Sequence, residues 1–382
     1  MKIVFYSNSL SHHQIPFCLE MAKIFGDEFV FVATEEITEE RLRLGYEDLN
    51  NKYAFVLRTY ESEQNQQKAL ELAVESDVVI IGSAPEQYLE ERMKHNKLTF
   101  RYMERPLKQG RIRLLNPRKL HTMIKMHTRY AFKKLFLLCA SAYTSGDCAL
   151  VGGYWNKAYK WGYFPDTSKL SYDELLTLKK DNQVPHILWA GRLIDYKNPE
   201  SALILANRLK KEGYKFKLNI IGEGKLRSFL EKKILDLNLS DCVALLGPMN
   251  PKKVCEFMEK ANIYLFTSNQ EEGWGAVLNE AMGSACTVVA NKKIGAVPFL
   301  MKHKKNGLRY KEGSDKDLYK KVVYCLKNPE ERKRMGENAY KTINEEWNTC
   351  AATQRLVNIL EGLVKGKKRF YKEGPVSRAR WK

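Results

Sequence analysis

An alternation of short apolar segments with segments of helical spacing, running twice along the chain, constrains the fold most. Apolar stretches of strand length lie at 2–7, 29–33 and 77–82 in the first half, and at 187–190 and 263–267 in the second. Such alternation is typical of a parallel sheet with helices on both faces. It predicts an α/β chain with two Rossmann-like, doubly wound domains.

A polar stretch without strand-like residues, 166–183, divides the two halves. We therefore predict a first domain over 1–165, a linker over 166–183 and a second domain over 184–346. A helix over 347–364 and a basic tail over 365–382 follow. Ligands of doubly wound sheets bind outside the carboxyl ends of the strands, so functional residues are sought there.

The net charge of +19 is concentrated in two segments. Residues 105–134 contain ten basic and no acidic residues, and residues 365–382 contain eight basic residues and one acidic residue, Glu373. Both segments interleave cations with apolar or aromatic side chains, which are Leu120, Met123, Ile124, Tyr130, Ala131 and Leu135 in the first and Phe370, Tyr371 and Trp381 in the second. We predict a helix over 120–134 in the first segment, with its six apolar residues on one side. A basic amphipathic helix is typical of binding to an anionic membrane surface. A solvated charged surface is the alternative for both segments.

Two predicted strands of the second half end in loops suited to phosphate. Gly191 and Arg192 end one strand, with Lys197 five residues further on. Arg and Lys at such positions suit a diphosphate, although two ordinary surface cations would give the same pattern. The next strand ends in Gly222, Glu223 and Gly224, where glycine would allow backbone to approach a ligand or simply form a tight turn.

The segment 268–282 carries the most informative pattern, with Glu272 and Glu280 eight positions apart. We predict a helix over 271–282, on which both carboxylates share a face, ~12 Å apart along the axis. Gly273, Trp274 and Gly275 would then expose backbone N–H groups at the helix start, which is a site for anions. Two solvated carboxylates remain the alternative.

Taken together, these motifs resemble the C-terminal domain of glycosyltransferase family four, from about residue 187 to residue 347. The similarity extends through Val288-Val289-Ala290, Gly295-Ala296-Val297-Pro298 and Asn306-Gly307-Leu308. Ala285-Cys286-Thr287 departs from it, because the family usually has Gly-x-Pro there. The resemblance implies a GT-B fold, with two Rossmann-like domains facing a cleft and a C-terminal helix that crosses back to the first domain.

The resemblance also implies residue roles for a retaining, nucleotide-sugar-dependent enzyme. Glu272 would contact the donor sugar, Glu280 would hold the ribose hydroxyls, and Arg192 and Lys197 would neutralise the diphosphate. The other implied donor-binding residues, several through their backbone amides, are Gly191, Gly222, Glu223, Gly273, Trp274, Gly275, Ala276 and Val277. No Asp-x-Asp motif stands at a strand end, and Asp315-Lys316-Asp317 reads as a helix cap. We therefore expect no metal and no cofactor beyond the nucleotide-sugar co-substrate.

The first half should bind the acceptor, a lipid-linked or saccharide molecule. His12 and His13 follow the first strand, where polar loop residues around an N-cap serine are an equal alternative. Tyr102, Glu104 and Arg105 follow another strand and are the remaining acceptor candidates. The segments 11–16 and 97–102 resemble enzymes of bacterial polysaccharide loci, which points to surface polysaccharide biosynthesis.

Two other function classes compete with this interpretation. A nucleotide-sugar epimerase of the GT-B fold would need no acceptor, and a basic nucleic-acid-binding protein would explain the charge but not the donor motifs. We favour the glycosyltransferase and expect no nucleic-acid partner. Eight scattered cysteines without Cys-x-x-Cys spacing, and no apolar run near the ~20 residues of a membrane span, predict a cytoplasmic protein. Segments 105–134 and 365–382 would hold it peripherally on the inner face of the cell membrane.

Overall fold

The chain divides into two compact units, of which the first combines both ends of the sequence. The computed structural model describes residues 1–39, 42, 47–180, 184–367 and 369–380. One unit comprises Met1–Pro165 with Trp347–Lys382, and the other comprises Asp166–Glu346. Trp381 and part of the 166–183 linker (181–183) lie outside the described residues.

Both units are built on parallel sheets, as the alternating pattern predicts. The strands are β1 (Ile3–Ser7), β2 (Phe29–Ala33), β3 (Val56–Arg58), β4 (Val78–Ile81), β5 (Thr99–Met103), β6 (Leu135–Cys139), β7 (Ala158–Lys160), β8 (His186–Ala190), β9 (Lys217–Ile221), β10 (Val243–Leu245), β11 (Ile263–Phe266), β12 (Thr287–Asn291) and β13 (Leu308–Tyr310). Within the described residues the sheet orders are β3-β2-β1-β4-β5-β6-β7 and β10-β9-β8-β11-β12-β13.

Helices follow most strands. They are α1 (Ile15–Phe25), α2 (Glu63–Glu75), α3 (Glu86–Lys94), α4 (Pro117–Met123), α5 (Thr144–Ala149), α6 (Tyr172–Lys180), α7 (Glu200–Lys211), α8 (Arg227–Asp236), α9 (Pro251–Lys260), α10 (Val277–Gly283), α11 (Val297–Leu300), α12 (Asp315–Lys327), α13 (Pro329–Lys341) and α14 (Thr349–Val364). Several begin at residues that the sequence marks as caps: Ser62, Asn250, Ser314 and Asn348 each accept a hydrogen bond from a backbone N–H of the first turn. In the described part of the chain, no helix combines the length and the hydrophobicity needed to cross a bilayer.

The strand order fixes where ligands can bind in each unit. Connections run outward in both directions from β1 and β4 in the first sheet, and from β8 and β11 in the second. At such a switch point the loops after the two central strands diverge and leave a crevice at the carboxyl edge of the sheet. The loop after β1 carries His12 and His13, whereas the loops after β8 and β11 carry Lys197 and Glu272.

The C-terminal segment completes the first unit. Helix α14 packs against α1 and buries residues that include Leu356 and Leu360, in agreement with the predicted returning helix. Beyond it, the tail lies antiparallel along β7: Val376 N–H donates to the Lys160 carbonyl at 2.7 Å, and Lys160 N–H donates to the Ser377 carbonyl at 2.8 Å. The described part of the basic tail is therefore not a loose extension, because residues 374–377 are buried.

The structure corrects the helix predicted over 120–134. Helix α4 ends at Met123, a π-helical turn (Ile124–Thr128) follows it, and a 3₁₀ turn (Arg111–Leu115) precedes it. Its predicted apolar side is split: Met123, Tyr130 and Leu135 are buried, whereas Leu120 and Ile124 are exposed. The segment is therefore packed into the unit on one side and presents apolar side chains to solvent on the other.

Candidate functional site

Backbone hydrogen bonds join the loops after β8, β9 and β10 in the second unit. Gly222 N–H donates to the Gly247 carbonyl at 2.9 Å, and Leu193 N–H donates to the Glu223 carbonyl at 2.8 Å. A Cβ on Gly222 (φ 148°) would lie 1.8 Å from the Gly191 carbonyl oxygen. The glycines at these strand ends therefore allow neighbouring loops to approach one another. The sequence predicts a close approach of ligand to backbone, or a tight turn, but not this contact between loops.

Buried polar contacts tie the loop after β8 to the loop after β11. The Trp189 ring N–H donates to the Thr267 hydroxyl at 2.7 Å, and that hydroxyl donates to the Lys197 carbonyl at 2.8 Å. Asn269 N–H donates to the Tyr196 carbonyl at 2.8 Å. These contacts fix the backbone at Lys197, so its side chain is held in a defined position.

Two predicted catalytic residues are brought together at this switch point. Lys197 Nζ lies 2.6 Å from Glu272 Oε2, with both side chains largely buried. Charged groups with so little water around them interact more strongly than surface ion pairs. Arg192 is exposed on the same loop as Lys197, and it donates through Nη2 to the Tyr196 hydroxyl at 2.8 Å.

The predicted helix over 271–282 is wrong in its first half. Helix α10 begins only at Val277 and has seven residues, so Glu272 lies in the preceding turn and does not share a helix face with Glu280. Gly275 explains the late start, because its φ of +83° is left-handed. A Cβ at this position would also lie 2.4 Å from the Phe266 ring, so only glycine fits.

This turn leaves backbone donors unused. Among the described residues, no acceptor is hydrogen-bonded to the N–H groups of Gly273, Gly275, Ala276 or Val277. The fifth predicted residue, Trp274, has a fully buried ring that donates to Asn279 Oδ1 at 2.9 Å and so supports the turn from within. Successive unused backbone N–H groups suit an anionic ligand or an oxygen with developing charge.

Glu280 lies on α10 with a half-buried side chain. Within the described part of the chain its carboxylate has neither a hydrogen-bond donor nor a cation as partner. Burial raises the pKa of Glu280 to about 7 from its ordinary value of 4.5. A carboxylate that is desolvated yet unpartnered is ready to accept hydrogen bonds from ligand hydroxyls. Glu223, in contrast, is exposed and paired with Arg227 at 3.0 Å.

Acceptor candidates in the first unit gather around Tyr163, which the sequence reasoning missed. The His13 ring stacks on Tyr163, with centroids 5.5 Å apart, and the His12 and His13 centroids lie 3.7 Å apart. The Tyr163 hydroxyl donates to Glu104 Oε1 at 3.2 Å, and burial raises the pKa of Tyr163, so it keeps its proton. Tyr102 packs against the same ring and donates its hydroxyl to the Gly162 carbonyl at 3.1 Å.

Arg105 is not part of this cluster. It is buried, and its guanidinium Nε lies 3.1 Å from Oδ2 of Asp147, a carboxylate with no exposed surface. Arg111 pairs with the other oxygen of Asp147 at 3.0 Å. The pairing gives Arg105 a structural position, so we leave it out of the acceptor-binding proposal. Tyr163 could have been found from its place after β7, a strand of only three residues.

No group of three or more His, Cys, Asp or Glu side chains that could hold a metal ion occurs among the described residues. All eight cysteines are free thiols. Independence from metal is therefore still a prediction, as is the cytoplasmic location.

Comparisons with known proteins identify a family and relatives that match part of this chain. Residues 177–342 match the family model described as glycosyl transferases group 1. The amylovoran biosynthesis glycosyltransferase AmsK of Erwinia amylovora is 29% identical over 188 residues, which cover 48% of this chain and 46% of that protein. An N-acetylgalactosaminyltransferase of Campylobacter jejuni, named for a diphospho-undecaprenol acceptor, is 31% identical over 151 residues, which cover 38% and 39% of the two chains. The matched segments thus span half or less of these relatives.

The fold comparison extends over both units. The Anabaena protein HepE, solved in complex with UDP, superposes with a TM-score of 0.72 over 95% of this chain and 100% of its own, at 16% identity. The lipopolysaccharide outer core galactosyltransferase WaaB superposes with a TM-score of 0.69 over 94% and 98% of the two chains, at 15% identity. At such low sequence identities the similarity establishes the architecture alone. The chemistry has to be inferred from the residues of this chain.

Proposed function

We propose that this chain transfers a sugar from a nucleoside diphosphate to an acceptor hydroxyl, because residues 177–342 match the group 1 glycosyl transferases and the fold is that of GT-B enzymes. The observation that carries this proposal is the arrangement in the second unit of Lys197, Glu272 and the unused N–H groups after Glu272. Cations and oriented amides of this kind stabilise a departing diphosphate, and a partly buried carboxylate can orient sugar hydroxyls.

The proposed step breaks the bond between the anomeric carbon and the diphosphate oxygen and forms a bond from that carbon to the acceptor oxygen. The proton of the acceptor hydroxyl passes to the leaving phosphate oxygen. Attack on the face that the diphosphate leaves retains the anomeric configuration and needs no separate general base. Arg192 and Lys197 would take up the negative charge that develops on the diphosphate.

The acceptor would be bound by the first unit, around His12, His13, Tyr163 and Glu104. These groups offer aromatic faces and hydrogen-bonding groups, as a saccharide requires. Two relatives support a role in polysaccharide assembly, since one is named for amylovoran biosynthesis and another for a lipid-linked saccharide. We propose that this chain likewise works on a lipid-linked or saccharide acceptor in surface polysaccharide biosynthesis, peripherally on the inner face of the cell membrane.

A thermal-shift panel of nucleoside diphosphates and their sugar conjugates tests the donor site. UDP and UDP-glucose come first, because HepE has been solved with each of them. We expect one nucleotide to stabilise the wild-type protein, by ~2.7 kcal/mol at a hundredfold excess over its dissociation constant. Glu280→Ala should abolish the shift, and Lys215→Ala, which removes an exposed cation outside the strand-end loops, should leave it unchanged.

Transfer assays with the identified donor test the chemistry. Arg192→Ala and Lys197→Ala should each lower the rate by about a hundredfold or more, as loss of one oriented donor to a developing anion does. Normal turnover by both variants would contradict the site assignment. Conversion of the donor to an epimer without any acceptor would contradict the proposed transfer and show that the protein is a nucleotide-sugar epimerase.

A further inference from the structure

The segment 105–134 forms a surface whose apolar side chains face solvent. Leu115 is 81% exposed and Phe132 is fully exposed. Ile112, Leu120 and Ile124 are also exposed. In a 3₁₀ turn, residues three apart eclipse one another, so Ile112 and Leu115 project from the same side. Leu120 and Ile124 are four apart on consecutive helical turns and likewise share a side.

Unpaired cations accompany these apolar residues. Among the described residues, no carboxylate forms an ion pair with Arg113, Arg118, Lys119, Lys125, Lys133 or Lys134. Arg129 is the exception towards the end of the segment, and it pairs with Glu90 at 2.9 Å. Within the described chain, the segment thus combines six cations that form no ion pair with five exposed apolar side chains, and this combination is complementary to an anionic, partly apolar partner.

The surface is rigidly supported from beneath. Buried Asp147 accepts a hydrogen bond from Leu107 N–H at 3.3 Å as well as the Arg105 and Arg111 guanidinium groups. Further on, Lys157 Nζ donates to the carbonyls of Ala131 and Lys133, both at 2.7 Å. The exposed apolar side chains are therefore presented by a fixed backbone and do not belong to a frayed end.

The basic tail differs from this surface. Arg378 is held over the rings of Tyr159 and Phe370, at 4.8 and 5.2 Å from their centroids, and Val376 is buried against the unit. Cations and apolar residues of the tail thus pack along β7, at the edge of the first sheet.

We propose that residues 111–134 are the docking surface of this protein on an anionic lipid bilayer, and that the tail is not. A bilayer interface accepts both components of the surface: cations bind the lipid headgroups, and exposed apolar side chains enter the acyl boundary. Nucleic acid would pair the cations with phosphates but would leave Leu115 and Phe132 without an apolar partner. The inference rests on the peripheral membrane location proposed above and names the surface responsible for it; it concerns the first unit and does not depend on the donor site.

Vesicle flotation of the full chain, without nucleotide sugar, tests the proposal. Wild-type protein should float with vesicles of phosphatidylcholine mixed with phosphatidylglycerol, and much less with phosphatidylcholine alone. The double variant Leu115→Ser/Phe132→Ser should lose about tenfold or more of the binding, because it removes apolar insertion. Arg118→Glu/Lys125→Glu should lose the preference for anionic vesicles.

Two matched controls distinguish binding through this surface from nonspecific hydrophobic adsorption to vesicles. Leu235→Ser removes a 67% exposed leucine of the second unit, and Phe370→Ser removes a 59% exposed phenylalanine of the tail. Both should float like the wild type. Unchanged flotation of Leu115→Ser/Phe132→Ser would overturn the proposal, as would loss of flotation with Phe370→Ser alone.

Other partners give other outcomes. A dimer seen by analytical ultracentrifugation that Leu115→Ser/Phe132→Ser abolishes, without vesicle binding by the wild type, would assign the surface to a second copy of the chain and overturn the lipid proposal. Binding of an oligonucleotide that only the charge variant loses, again without vesicle binding, would overturn it in favour of nucleic acid. The nucleotide thermal shift, measured on the same variants, reports the donor site separately, so either proposal can fail alone.

Discussion

Glu280 combines a half-buried position with a carboxylate that has no partner among the described residues. Burial raises its pKa to about 7 from 4.5, so the folded state binds the proton more tightly than the unfolded state does. The group therefore costs no stability below about pH 4.5, and its ionisation lowers the free energy of unfolding progressively as the pH rises through about 7. Substrate hydroxyl groups would offset this cost in the bound state.

The predicted consequence is a pH-dependent effect of Glu280→Gln. Relative to the wild type, the variant should gain up to about 3 kcal/mol of stability between pH ~4 and pH ~8, which is the value of a shift of this size. Urea unfolding at a series of pH values measures the difference. A burial cost of the amide itself would be the same at every pH, so only the pH-dependent part is diagnostic. Parallel curves for the two proteins would show that Glu280 does not titrate in this range.

At the scale of elements, the loops after β8 and β9 depend on a close backbone contact at Gly222. Gly222→Ala would place a Cβ 1.8 Å from the Gly191 carbonyl oxygen, so the loops must separate. We expect the variant to lose at least ~3 kcal/mol of stability and the nucleotide-induced thermal shift. Guanidinium unfolding and the thermal shift measure the two effects.

Gly213→Ala provides the matched control. Gly213 also has a left-handed φ, of 77°, but a Cβ there would meet nothing within 4 Å. The control should lose only the ~1 kcal/mol of left-handed strain and keep the thermal shift. Equal losses in the two variants would mean that backbone strain, and not the contact between loops, explains the effect.

The sequence was sufficient to predict elements wherever the local pattern agrees with the final packing. The buried strands and the helices between them follow from apolar periodicity, and Lys197 and Glu272 come together because both follow strands at the switch point. The late start of α10 was not predictable from periodicity, since it depends on a left-handed Gly275 packed against Phe266. Nor was β7, whose three residues are supported by the tail some 220 positions away in the sequence.

Charge composition likewise predicts where the basic segments lie, but it does not predict which of them is packed against the fold and which faces solvent. The segment 105–134 and the tail have the same mixture of cations and apolar residues in the sequence. The fold separates them, because Val376 is buried along β7 whereas Leu115 and Phe132 are exposed. The difference arises from long-range pairing, which composition does not contain.

At the scale of the whole molecule, the two units differ in how the chain builds them. The second unit is one continuous stretch, Asp166–Glu346, that contains all six strands of its sheet and its own hydrophobic core. The first unit needs both ends of the chain, because α14 covers α1 and the tail pairs with β7. Removal of residues 347–382 would expose to water the part of α1 that packs against α14.

This difference predicts opposite behaviour for two fragments. A fragment of residues 166–346 should melt cooperatively and keep the nucleotide-induced thermal shift, because the core and all proposed donor-site residues lie within it. A fragment of residues 1–165 should show no cooperative melt, and adding residues 347–382 as a separate peptide should restore one. Calorimetry of both fragments, with and without the peptide, makes the comparison. Cooperative melting of residues 1–165 alone would show that the C-terminal segment merely covers a unit that is already stable, and a fragment 166–346 that folds without binding any nucleotide would place the donor site elsewhere.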